Sequence, residues 1–401
     1  MAPIEEPDGG DTLNSLAKRL AWVTPTMSDT SEMSIKRVAA NQDKVVCVRS
    51  KDGFENTVFA MDVKTGKIMW EWGDPNVPSG LFITSLIIKD DLVIVELWAD
   101  IYILDLNTGQ TKWQNIVYNS GICGQPRISV IDDQIYYTLS DCSAEERFNF
   151  LMRTPVSHFA PDTVFKIYQI TTPSPDSGWI TGMQPPQLWK HPTSGDSILL
   201  IQARAFKLGV LKNKVDLYAF NLRTREVLWT IDSIAPEGNS SVQPFEIDKN
   251  EMYFCGMRSL MKIDLLTGKV VWRYPFLKNT ELTALTSPLD VGDKILIHPA
   301  GDILYAIDKG TGSKLWSLED IGLAGPNGKL TLNGDIVNYL SSPEFYDINH
   351  KTLEILQHSK SPNIFRGYPA DFQQFANTVQ IPNSNLMFVS DKHFCMLIKG
   401  L

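Results

Sequence analysis

The sequence has little cysteine and no surplus of positive charge. Five cysteines in 401 residues, Cys47, Cys123, Cys142, Cys255 and Cys395, are too few and too scattered for a disulfide framework, and no close pair has metal-ligand spacing. Cys123 and Cys142 are compatible with one loop disulfide in an oxidising compartment; free buried thiols are the alternative reading. A net charge of -9 argues against a general nucleic-acid binder, which needs a broad positive field to meet phosphate, so no nucleic-acid partner is expected. No apolar run approaches the ~20 residues of a membrane helix, so no transmembrane span is expected. The opening MAPIEEPDGGDTLNSLAKRL has no basic stretch followed by an apolar run, hence no signal-peptide pattern. The expected compartment is cytoplasmic as the sequence stands, and periplasmic or lipid-anchored if a signal has been removed.

Catalytic signatures are missing too. There is no Gly-x-Gly-x-x-Gly fingerprint, His-Glu-x-x-His helix, phosphate-binding Gly-x-x-x-x-Gly-Lys loop or Gly-x-Ser-x-Gly elbow. The six histidines fall in different modules and read as surface or edge residues rather than a metal set.

What the chain does have is a repeat. LYAIDKGTGSKLW (304–316) recurs as VFAMDVKTGKIMW (58–70), IYILDLNTGQTKW (101–113), LYAFNLRTREVLW (217–229) and LMKIDLLTGKVVW (260–272). The terminal tryptophans lie 43 residues apart from Trp70 to Trp113 and from Trp229 to Trp272, and 44 from Trp272 to Trp316. That is the period of a four-stranded propeller blade. Each copy reads as strand, turn and strand, with Gly66, Gly109, Gly268 and Gly312 at the positive-φ position and an Asp and Thr bonding to turn amides. Asn221 and Arg225 replace the Asp and Gly in one copy, which predicts a slightly different turn there. Because Asp62, Asp105, Asp264 and Asp308 belong to equivalent turns, they do not converge as an acid/base pair.

Weaker copies complete the count. VFKIYQITTP (164–173) reads as a third strand, with a Pro-rich insertion at 174–187 delaying a closing Trp189. FYDINHKTLEIL (345–356) keeps Asp347 and Thr352, with Leu356 in the place of Trp. Trp22 reads as the outer strand of a last blade whose inner strands lie at the C-terminus. The expected fold is all-β: an eight-bladed β-propeller of four-stranded antiparallel blades, closed by N- and C-terminal strands, with seven blades as the alternative count. Residues 1–14 form a lead and 15–401 a single propeller domain with loop insertions at 141–162 and 174–187.

The repeats resemble the quinoprotein-type (PQQ-like) propeller family, in which Ala-x-Asp-x-x-Thr-Gly-x-x-x-Trp recurs around an eight-bladed ring. The family holds dehydrogenases using pyrroloquinoline quinone and noncatalytic members such as the lipoprotein of the outer-membrane barrel-assembly machinery. The resemblance implies that Trp70, Trp113, Trp189, Trp229, Trp272 and Trp316 dock between neighbouring blades, and repetition of one large flat side chain per module, Trp22 included, gives the same structural reading. The dehydrogenase pattern of adjacent cysteines and an acidic and amide metal cluster is not matched, so the chain reads nearer the noncatalytic members, with no cofactor and no catalytic or metal residue assigned.

Binding work in a symmetric scaffold falls to loops. The largest departure from the repeat, 141–162, and the next module's 203–214 read as extended loops between second and third strands on one face. They carry Arg147, Phe150, Arg153, Arg204 and Lys207; Trp98 and Arg127 join them from neighbouring loops as candidate partner-binding residues. An aromatic and basic ridge on an acidic protein suits a protein contact. The expected function is a noncatalytic binding or scaffold module that contacts a protein partner through propeller-face loops, with a monomer as the expected state. The alternatives are a PQQ- and calcium-dependent alcohol or sugar dehydrogenase, and a saccharide-binding propeller.

Overall fold

In the computed structural model the described residues are 16–25, 33–51, 55–73, 83–97, 100–115, 122–123, 128–141, 147–169, 179–207, 210–234, 245–256, 259–276, 287–298, 303–319, 330–341, 344–360, 377–390 and 394–401. They form eight antiparallel sheets, the eight blades of a propeller. The first blade runs Met33–Ala40, Lys44–Lys51, Glu55–Asp62 and Ile68–Trp72, strands A to D. The next six follow in chain order, and the eighth joins Asn377–Gln380, Leu386–Ser390 and Phe394–Lys399 to the N-terminal strand Leu20–Pro25. A single helical turn, Leu16–Arg19, precedes that strand. The ring is closed by pairing of residues from opposite ends of the chain, Trp22 with Leu397 and Thr24 with Cys395.

The core is a set of eight apolar layers, one between each pair of neighbouring blades. The reason is the two-residue alternation of each strand, which gives a blade two apolar faces and requires a neighbour for each. Val46, Val48, Val58 and Ala60 of the first blade pack on Val93, Val95, Tyr102 and Leu104 of the second, all essentially solvent-free.

The repeated tryptophans fasten these layers. Trp70 Nε1 donates to Leu106 O at 2.9 Å, and Trp22, Trp113, Trp229 and Trp272 donate to Val63, Val156, Leu265 and Lys309 O at 2.7 to 3.1 Å. Each acceptor opens the C–D turn of the following blade. The glycine of that turn lies against the ring: a Cβ at Gly109 would stand 2.6 Å from Trp70, and one at Gly66, Gly268 or Gly312 as close to Trp22, Trp229 or Trp272. Glycine therefore serves twice, adopting φ near +70° and leaving room for the indole.

This pairing explains a departure in the fourth blade. Arg225 has φ 61° and its amide donates to Asn221 O at 2.9 Å, the same turn as Gly66 with Asp62 O. The different turn expected there is not found. Asn221 Oδ1 accepts from the amides of Arg223 and Thr224 as the aspartates do elsewhere. A side chain is tolerated because the preceding third blade presents Phe165, not Trp, which packs on Tyr218 and Phe220.

Three other expectations are corrected. Within 141–162 most of the expected loop is strand: Arg147–Pro155 is the third strand of its blade, and Asp162–Gln169, read from sequence as a third strand, is the fourth, while 142–146 lie outside the described residues. Trp189 lies on the inner strand Gln187–Lys190 of the fourth blade instead of closing the third. It still joins blades, donating to Lys249 O at 2.8 Å across the fourth–fifth interface. In the seventh blade the turn acceptor is Asn349, bonded by the amides of Lys351 and Thr352, and register places Gln357, not Leu356, at the tryptophan position. Asp347 is fully buried at the place of Ala306 and is bound by Asn338 and by Arg19 from the N-terminal turn. Arg19 Nε also donates to Lys399 O at 2.6 Å. An ionic clasp thus occupies the interface where the tryptophan is missing.

Candidate partner-binding edge

The fourth blade breaks the uniformity of the ring. Its strands B and C, Ser197–Lys207 and Val210–Asn221, have 11 and 12 residues, whereas strand B of the first blade has 8 and that of the sixth has 4. They form one long hairpin, paired in one register from Ile198 with Asn221 to Phe206 with Asn213, after which a bulge at Leu211 and Lys212 shifts the pairing to Lys207 with Val210. Residues 203–207 and 210–214 are therefore strand, not the extended loop expected from sequence. The base of strand B is covered by Gln187–Lys190 and its distal half by a further strand, Trp179–Met183, which occupies part of the expected 174–187 insertion.

The other edge of the hairpin is uneven. Strand D, Glu226–Ile231, pairs with Leu217–Asn221, and Ile234 N reaches Val215 O. Among the described residues no strand pairs with the outer edge of Val210–Lys214. Five residues of strand span at most about 17 Å at the usual rise, less the shortening from the bulge at Leu211 and Lys212.

The sequence-predicted residues are only partly gathered here. Arg204 stands opposite Val215 and Lys207 opposite Val210 at the hairpin tip. Arg147 begins the neighbouring third strand, and Phe150 sits three residues further on with the Lys166 ammonium 5.3 Å from its ring centre. Arg153 is at the far end of that strand and is committed to Asp162, its Nη2 at 2.9 Å. Trp98 and Arg127 lie outside the described residues. The unpaired edge itself was missed from sequence, although Gly209 between two alternating runs is a hairpin signal.

The opposite end of the ring is electrostatically self-satisfied. Asp308 is held below the usual carboxylate range by the Thr311 amide and hydroxyl, and Asp62 by the Thr65 hydroxyl and amide. Lys309 binds Asp248 at 2.5 Å and Asp290 at 2.7 Å, joining fifth and sixth blades. Burial disfavours its charge, but the two carboxylates outweigh this and raise its pKa. Among the described residues no group of three or more His, Cys, Asp or Glu side chains is arranged to hold a metal ion.

The outer membrane protein assembly factor BamB family matches residues 13–123 and 213–344, more than half of the chain, and leaves out nearly all of the third blade, most of the fourth and the C-terminal strands from residue 345 onward. BamB of Kangiella koreensis is 29% identical over 135 residues, covering 30% of this chain and 33% of the relative; the match thus spans a third of that protein's length. Among solved structures, BamB from Moraxella catarrhalis aligns with TM-score 0.51 at 17% identity over 77% of this chain and 82% of its own. The computationally designed Ika8 protein aligns with TM-score 0.60 at 14% identity, covering 92% and 97%. A europium-containing methanol dehydrogenase aligns with TM-score 0.57 at 11% identity, covering 92% and 84%. At these identities the structures share the propeller fold and nothing more is carried over. The blade repeat, its interlocking tryptophans and the family match agree: the chain belongs to the outer membrane protein assembly factor BamB family.

Proposed function

We propose that this protein is a noncatalytic scaffold that engages a protein partner in outer-membrane protein assembly, and that the fourth-blade hairpin is the contact. The reading is supported by family membership and carried by one observation, the outer edge of Val210–Lys214 that no described strand covers. An open edge offers main-chain donors and acceptors to an added strand, while side chains along it select the sequence. Lysines on that strand favour an acidic partner strand over a second copy. The same family membership favours an extracytoplasmic location at the outer membrane. Arg147, Phe150, Arg204 and Lys207 are proposed as flanking contacts.

The test is a variant in which residues 204–213 are replaced by an Asn-Gly turn, titrated against the soluble domains of the other subunits of the barrel-assembly machinery from the same source. Loss of binding with an unchanged melting temperature supports the proposal. Binding equal to that of the parent protein overturns it.

A further inference from the structure

The C–D turn of the seventh blade departs from its equivalents at one position. Leu353 holds the place that Gly66, Gly109, Gly268 and Gly312 hold elsewhere: its amide donates to Asn349 O at 2.8 Å, as Gly312 N does to Asp308 O at 2.9 Å, and its φ is 64°. Glycine is at ease in this left-handed region, whereas a leucine occupies it with its Cβ crowded against the following carbonyl. That Cβ also stands where a tryptophan of the preceding blade would seat. At the four glycines a Cβ would lie 2.5 to 2.7 Å from the facing indole, so a seated tryptophan and a side chain at this position exclude each other. The fourth blade escapes the conflict at Arg225 because the third blade presents Phe165 to it. The sixth blade presents Trp316 to Leu353, and there the conflict stands.

Trp316 shows the consequence. It lies partly buried on the layer of Leu296, Ala306, Val337 and Ile348. Among the described residues nothing accepts from its indole N–H, whereas Trp272 Nε1 reaches Lys309 O at 3.1 Å. His350 is the counterpart of Lys309: its amide donates to Asp335 O at 3.1 Å, as Lys309 N does to Asp293 O at 3.0 Å, but its imidazole is buried with Nδ1 unbonded. Nearer the axis the interface is closed, with the His298 ring stacked on Tyr339 at 4.8 Å between centroids. The defect thus lies at the outer rim, between strand Lys314–Leu318 and the turn 349–354.

We propose that this rim is a built-in opening point of the ring, where the sixth and seventh blades part locally while the aromatic stack and aliphatic layer nearer the axis act as the hinge. Opening lets Leu353 leave the left-handed region, frees Trp316 from the crowded seat and hydrates the His350 imidazole, so the groups strained or unbonded in the closed rim gain when it parts. The seam where the chain ends meet has no such incentive, because Trp22 is seated against Gly66 and donates to Val63 O at 2.7 Å.

The test is native-state amide hydrogen exchange of the full chain, read at Asn349 and His350 and at their counterparts Asp308 and Lys309, each corrected for its intrinsic rate. In the parent protein Asn349 and His350 should exchange at least about tenfold faster than Asp308 and Lys309, the ratio that relief of one left-handed leucine supplies. Leu353→Gly removes the Cβ and should slow both about tenfold, with the Trp316 indole N–H becoming protected as it seats on His350 O. Leu353→Ala discards the rest of the side chain but keeps the Cβ, and should exchange within about twofold of the parent. Equal rates at the two turns of the parent, alanine slowing exchange as much as glycine, or glycine leaving the rates unchanged or raising them would overturn the proposal. The comparison within the parent chain needs no variant to fold.

Discussion

Gly109→Ala isolates the contact between neighbouring blades. Gly109 has φ 72°, and a Cβ there would lie 2.6 Å from Trp70 Cε3 and 2.7 Å from Cδ2. Gly195 has the same backbone, φ 71°, but no heavy atom within 4 Å of its would-be Cβ. Alanine at Gly195 therefore measures only the left-handed backbone cost, about 1–2 kcal/mol. Alanine at Gly109 adds overpacking of a buried indole, about 1–3 kcal/mol more. The total at Gly109 is about 2–5 kcal/mol, read from denaturant midpoints at constant slope. In a Trp70→Ala background, which itself costs about 3–5 kcal/mol, the excess at Gly109 should vanish because the ring it strikes is gone. Equal costs at the two glycines would refute the reasoning, as would an excess that survives removal of Trp70.

Asp347→Ala should destabilise by about 3–5 kcal/mol in thermal or denaturant unfolding, because it leaves Arg19 buried without its carboxylate. Arg19→Met combined with Asp347→Leu should recover most of that loss. Lys309→Met should cost about 2 kcal/mol by the same assays, since it strips a charged donor from Asp248 and Asp290. The turn carboxylates make the fold acid-sensitive. Asp62 and Asp308 have folded pKa values below the unfolded value of about 3.9, so their contribution is present above that pH and lost as pH falls through the folded values. Melting temperature should drop from pH 4 toward pH 2, and Asp308→Asn should flatten its share of the drop while keeping the turn, as Asn221 and Asn349 do.

Most of the ring was legible in the sequence because each blade solves the same problem with the same residues. An Asp or Asn and a Thr close the C–D turn, and a large ring seals the next interface, so spacing alone located the strands of the first, second, fifth and sixth blades. The third blade was misread because Phe165 replaces its tryptophan and RFNFLMRTP lacks the turn signature, which made a strand look like an insertion. Trp189 then drew the eye as the missing blade end, although an inner-strand tryptophan can reach the same interface. The pair of Arg19 with Asp347 was invisible for a different reason. It is joined only when the N-terminal turn meets the seventh blade, and nothing local in either segment announces its partner. The open edge of the fourth blade likewise depends on where strand D stops pairing, a property of the sheet and not of any short motif.

Amide hydrogen exchange of the protein with and without the soluble assembly-machinery subunits tests the central claim, that the fourth-blade edge is the binding element, most directly. Slowed exchange on binding concentrated at Val210–Lys214, with the C–D turns at the other end of the ring unchanged, is the predicted result. Protection confined to those turns, with Val210–Lys214 exchanging as in the free protein, would contradict it.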